Sequence, residues 1–312
     1  MENADFFMGL AQHALWITAL ATAPILIPAL VAGVLIGMVQ AATSINEQTL
    51  SFIPKILVVG VETQLWIWLI AMIRPGAAFL AAPVFGAPAM PLQLRLILSL
   101  ALGMAALNSV TIQLPHDGVA SFEGVMLVAG EVLTGLAMGF AVQIGYSAAF
   151  VAGEAIANTM GLGFAAMVDP GSGQGTQAVG QFLSILSTFL LLAMDGHLLL
   201  VSFVVQSYKA LPPGAAMLSN DAVWHMIQFG GSLLGAGVTI ALPVGFALVL
   251  VQIVMGMLAR TAPALNLFAV GMPMAVMAGL VLLAMAVPVM GEGITIALKS
   301  GLEQARAISE GR

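Results

Sequence analysis

Residues 40–55 read QAATSINEQTLSFIPK, a polar stretch between two long apolar runs, and their reading decides the fold. From Phe6 to Asn46 the chain has no Asp, Glu, Lys or Arg. The stretch then supplies Gln40, Thr43, Ser44, Asn46, Glu47, Gln48, Thr49, Ser51 and Lys55 in quick succession, with Pro54 before the lysine. An apolar helix that turns polar and stops near a proline reads as a membrane-type helix leaving the apolar layer. A solvated turn between two buried helices would show the same local pattern.

Composition separates the two. Hydrophobic residues make up 61% of the 312 residues and charged residues 7%, against about 25% charged in an ordinary soluble domain. Mean hydropathy is +1.08. The runs Ala222 to Ala259 and Thr261 to Gly291 carry no Asp, Glu, Lys or Arg, and each exceeds the roughly 20 residues that cross a bilayer as a helix. Such runs satisfy their backbone internally as helices. They lack the period-two polarity of membrane β-strands. The expected class is all-α, a polytopic membrane-complex protein of long apolar helical hairpins. Net charge is −6 and the eight basic residues are scattered, which argues against nucleic acid as a partner. With no cysteine, disulfides and thiolate metal sites are excluded. Glu2 and Asp5 stand where a secretory signal carries positive charge, so no cleaved peptide is expected. Lys55 favours a cytoplasmic loop after the first helix, and Lys299, Arg306 and Arg312 a cytoplasmic C-terminus. Arg74, Arg95, Lys209 and Arg260 are too isolated to set topology.

Apolar helices are expected at about 12–41, 57–82, 95–110, 122–166 (broken), 178–208, 222–259 and 264–308. Pro24 and Pro28 should kink the first. Pro83, Pro88 and Pro91 around Gly86 mark an irregular connection, and LPHDG (114–118) and LPPG (211–214) mark turns. Gly33/Gly37, Gly135/Gly139 and Gly231/Gly235 have the spacing that lets helices approach closely.

Glu131, Glu154 and Asp195 lie in otherwise apolar segments. A carboxylate at bilayer depth costs about 2.5–3.5 kcal/mol on insertion scales, so these groups should face protein or water. They are read as structural polar contacts between helices, with proton transfer as the competing role. Asp195, Gly196 and His197 read as a helix cap at the membrane edge. No catalytic constellation, cofactor site or metal-ligand spacing is visible among the histidines, serines and carboxylates. GSGQG (171–175) lacks the trailing Gly-Lys-Ser/Thr and the preceding strand of a phosphate loop.

Residues 40–55 closely resemble the loop of FliQ, a small two-helix subunit of the flagellar protein-export gate. From about residue 58 the chain resembles FliR, another subunit of that gate. The matching pieces, in order, are RPGAAFLAAPVFG (74–86), AGEAIANTMGLGFAAMVDP (152–170), DGHLLLVS (195–202), ALPVGFALVL (241–250) and LARTAPALNLFAVGMP (258–273). The chain therefore looks like a fusion of a FliQ-like first helix and loop (1–57) with a FliR-like domain (58–312), lacking the second FliQ helix.

The resemblance implies a non-enzymatic core component of the type III protein-export gate, multi-pass in the bacterial inner membrane at the flagellar basal body. It implies FliP and FliQ subunits as partners, with FlhB and FlhA nearby, unfolded flagellar proteins as cargo and no cofactor. Helical hairpins would stack helically with partner subunits, in contact with membrane lipid. Gln40, Asn46, Glu47, Gln48 and Lys55 would form a cytoplasmic contact loop. Phe164, Met167, Val168, Asp169 and Pro170, in a glycine-rich segment, would form the plug that closes the pore. The alternative is a secondary transporter using Glu131, Glu154 or Asp195 as ion ligands. That fold class calls for two related halves, and the sequence shows none.

Overall fold

The computed structural model describes residues 52–108, 110–115, 118, 121–162, 178–214, 220–261 and 271–311. The chain divides into two compact units, Met1–Leu69 and Ile70–Arg312. Among the described residues there are seven helices and no strand: α1 (Phe52–Ala81), α2 (Leu92–Leu107), α3 (Phe122–Thr159), α4 (Ala178–Ala193), α5 (Gly196–Ala210), α6 (Asn220–Thr261) and α7 (Met272–Ser309). The expected segment 12–41, with Pro24, Pro28 and the Gly33/Gly37 pair, lies outside the described residues.

α1 begins at Phe52 rather than near 57, so Phe52 to Lys55 belong to the helix and not to the polar turn. Pro54 sits in the first turn, where the backbone N–H has no intrahelical acceptor, and its missing donor costs little there. α3 refines a second expectation: the segment 122–166 breaks after Thr159, and the helix is unbroken from Phe122 to there. Its glycines serve packing rather than breaks. Ser121 caps its start by accepting from the Gly124 N–H at 3.2 Å. Its end is a Schellman motif. Gly161 takes φ +84°, the Leu162 N–H bonds the Ala157 carbonyl and the Gly161 N–H bonds that of Asn158, both at 3.0 Å. A third correction concerns 178–208, expected as one helix. It is the pair α4 and α5, bent by 63°. Asp195 turns the chain at φ +54°, a conformation that Asp tolerates better than most residues.

In the second unit α3 is the central helix, packed on α4, α6 and α7, while α5 lies on α7 and α2. Among the described residues four helices are long and apolar enough to cross a membrane: α1 from Thr63, α3, α6 and α7. The α4–α5 pair passes the same length and apolarity test only when its two bent arms are taken together, as a broken span or a re-entrant loop. Of the most apolar window of α3, 56% is buried within the chain, against 22% for α6 and 17% for α7. The last two therefore present their apolar sides outward, with Trp224, Ile227, Phe246, Met257, Met277 and Met285 exposed.

Small residues set how closely the helices approach. A Cβ on Gly135 would stand 2.3 Å from the Arg74 carbonyl oxygen, and one on Gly139 2.2 Å from that of Ala78. Gly103 meets the Ala71 carbonyl in the same way at 2.5 Å, and Gly145 that of Ala297 at 2.4 Å. The expected Gly231/Gly235 contact is absent. Both glycines face open space within the described chain.

These contacts separate two glycines that look alike in the sequence. Gly139→Leu should destabilise the detergent-solubilised protein by at least about 1–3 kcal/mol through overpacking. Gly235→Leu, on an open face, should stay within about 0.5 kcal/mol of the parent. Thermal unfolding in one detergent checks both.

Candidate functional site

Arg74 lies in the apolar body of α1, where its charge must be matched. It is 2% exposed, as is Glu131 of α3. The two form a bidentate pair, Arg74 Nε donating to Glu131 Oε2 at 3.0 Å and Nη2 to Oε1 at 2.7 Å. Nη2 also donates to the Leu211 carbonyl at 2.8 Å, just past α5, and Nη1 to the Ser207 hydroxyl at 2.9 Å. Ser207 in turn donates to the Val204 carbonyl at 2.7 Å. The Tyr208 ring packs on the guanidinium, with its centroid 4.2 Å from Cζ, a favourable cation–π placement.

The next residue, Pro75, adds a second demand. Proline has no N–H, so the carbonyl four residues earlier, that of Ala71, loses its helical donor. At membrane depth an unsatisfied carbonyl is costly. The Tyr208 hydroxyl supplies the missing bond, donating to the Ala71 oxygen at 2.7 Å. Tyr208 thus serves both sequence anomalies of α1, with its ring on Arg74 and its hydroxyl below Pro75. The absence of a side chain on Gly103, beside the Ala71 carbonyl, leaves room for α2 at the same place.

Glu131 is the one expected polar residue in this cluster. Glu154 lies farther along α3, about 35 Å along the axis by the helical rise. Its Oε1 is buried, has no hydrogen-bond partner among the described residues, and lies where a Cβ on Gly180 of α4 would stand at 2.7 Å. Asp195 is exposed at the α4–α5 bend. Its side chain makes no cap bond; the cap is its carbonyl, which accepts from the N–H groups of Leu198 and Leu199 at 2.9 and 3.0 Å. His197 is half-buried in the first turn of α5, and its Nδ1 has no partner among the described residues. Lys55 lies in the first turn of α1. Gln40, Asn46, Glu47 and Gln48, and the plug residues Phe164, Met167, Val168, Asp169 and Pro170, lie outside the described residues.

Sequence reasoning missed Arg74, Ser207 and Tyr208. One signal was available. An arginine and a glutamate, each deep in an apolar segment, need partners, and opposite charges pair. The residues are 57 positions apart, so no local spacing shows it. Outside this cluster, a groove of about 760 Å³ opens between α3, α6 and α7, with Ser232, Thr239, Ser300, Glu303 and Gln304 as its polar lining.

Tyr208→Phe should cost about 1–3 kcal/mol, because it leaves a buried carbonyl without a donor. Pro75→Ala restores an N–H to that carbonyl, so Tyr208→Phe should be nearly neutral in the Pro75→Ala background. Comparing the four unfolding midpoints checks the coupling, and equal losses in both backgrounds would refute it.

Residues 65–300 match the family described as bacterial export proteins, family 1, and residues 6–75 match bacterial export proteins, family 3. The chain is 32% identical over 216 residues to the flagellar biosynthetic protein FliR of Pectobacterium carotovorum subsp. carotovorum, covering 69% of this chain and 82% of that one. To FliR of Escherichia coli (strain K12) it is 31% identical over 226 residues, 72% of this chain and 84% of the relative. To FliR of Caulobacter vibrioides it is 32% identical over 224 residues, 71% and 88%. These relatives are named for flagellar biosynthesis rather than for a reaction.

Proposed function

The chain belongs to the bacterial export proteins, family 1, and from that membership we propose that it is a core component of the flagellar-type protein-export gate. In this reading it helps to form and to close the channel through which unfolded flagellar proteins leave the cell. The observation that carries the reading is the family 1 match over residues 65–300, supported by four helices, among the described residues, suited to crossing a membrane.

The chain would sit in the inner membrane at the flagellar basal body, assembled with FliP and FliQ subunits and near FlhB and FlhA. The outward apolar faces of α6 and α7 suit such neighbours or lipid. The buried Arg74–Glu131 cluster has a structural part, because all its donors and acceptors are turned inward. The cytoplasmic contact role of 40–55 belongs to the same proposal.

Closure is assigned to Phe164–Pro170. α3 stops at Thr159 in a Schellman turn and α4 starts at Ala178, so the plug sequence lies between two anchored helix ends. Phe164 and Met167 supply apolar bulk of the kind that excludes water in hydrophobic gates.

Deleting Phe164 to Pro170 in the assembled complex should make the membrane leaky to small ions, read as conductance in planar bilayers or as ion efflux from cells. A sealed membrane with normal assembly would refute the plug, and failed assembly would make the segment a packing turn.

A further inference from the structure

The two family matches overlap. One ends at residue 75 and the other begins at residue 65, so Leu65 to Pro75, LWIWLIAMIRP, belong to both. The overlap lies wholly inside α1, which runs unbroken through its 30 residues from Phe52 to Ala81. A helix of that length spans about 45 Å, more than one bilayer crossing requires. A FliQ-like helix and loop followed at once by FliR-like sequence leaves no room for a separate second FliQ-like helix. The overlap supplies one.

The side chains divide in the same way. Trp66, Trp68 and Leu69 are exposed, each large and apolar. Ile70, Ala71 and Arg74 are buried, the arginine in its pair with Glu131. The buried part is committed to the family 1 core. The exposed part precedes it on the same helix, which is unbroken between Leu65 and Pro75.

We propose that α1 is one helix with two memberships. It completes the family 3 pattern as its second helix and opens the family 1 domain. The chain thereby carries one copy of the small family 3 partner subunit in cis, joined through the helix that also carries Arg74. This rests on the export-gate reading and adds to it which partner is built in and which helix joins it.

The proposal makes the stretch upstream of residue 65 sensitive to helical phase. If residues 1–64 were a tether, small changes there would leave the family 1 domain working. One alanine inserted between Glu62 and Thr63 turns everything upstream by about 100° and shifts it by about 1.5 Å. Removing Val58 as well restores both for all residues before it. The measurement is secretion of flagellar protein and swimming, in the native host deleted for the gene and supplied with the full-length chain or a variant at matched levels. The insertion alone should lower secretion at least about tenfold, and the compensated variant should return it to within about twofold, as the phase of a continuous helix requires. An insertion that leaves secretion unchanged overturns the shared helix, and so does a compensated variant as defective as the insertion. If the unaltered chain fails to restore secretion, the export-gate reading itself fails, an outcome read before either variant is compared.

Discussion

A guanidinium that is 2% exposed inside an apolar helix is the constraint around which the second unit is arranged. Burying an unpaired ion costs several kcal/mol after relaxation, and attraction to a partner offsets this only when the geometry is good and the remaining donors are bonded. Arg74 has a bidentate pair, and four of its five N–H groups are bonded. Its bonds to Glu131, Ser207 and the Leu211 carbonyl tie α1 to α3 and to the end of α5. Tyr208 adds its ring to the charge and its hydroxyl to the carbonyl that Pro75 strips of its donor. Two departures from an ideal membrane helix, a charge and a proline in adjacent positions, are thus satisfied by Glu131 of α3 together with the end of α5.

Close backbone approach is the condition for that geometry. Gly135 and Gly139 follow Glu131 on α3 at intervals of four residues, on one face, and bring the α1 carbonyls of Arg74 and Ala78 against the α3 backbone. Larger side chains there would separate the helices and pull the carboxylate away from the guanidinium. Lipid tails are as apolar as leucine, so association of these helices depends on such packing and on the buried polar bonds rather than on the hydrophobic effect. α3 can be central because it is rich in small residues. α6 and α7 keep large apolar side chains outward.

The all-α class was legible because charge-free runs longer than a bilayer leave few alternatives, and the turns at Pro83–Pro91, 114–118 and 211–214 were legible from proline and glycine. The helix ends were less so. Pro54 looks like a stop and is a first-turn residue, and the bend at Asp195 depends on a left-handed residue that periodicity does not register. In the candidate site Glu131 was visible as a costly charge, but its partner was not, because pairing across 57 residues is a property of the fold. Of the glycine pairs, Gly135/Gly139 and Gly231/Gly235 have the same spacing, and only tertiary placement tells the contact from the open face. The plug sequence, by contrast, was identified by resemblance, and its assignment stays with the proposed function.

The central claim is that the Arg74–Glu131 pair is the fixed point of this packing, and a double-mutant cycle tests it most directly. Arg74→Met, Glu131→Leu and the double variant would be compared with the parent by reversible unfolding in mixed micelles. Each single change leaves one buried charge alone and should cost about 3–5 kcal/mol. The double variant removes both charges and should be more stable than either single variant, giving a coupling of at least about 2 kcal/mol. Additive losses, with no coupling between the two positions, would contradict the account.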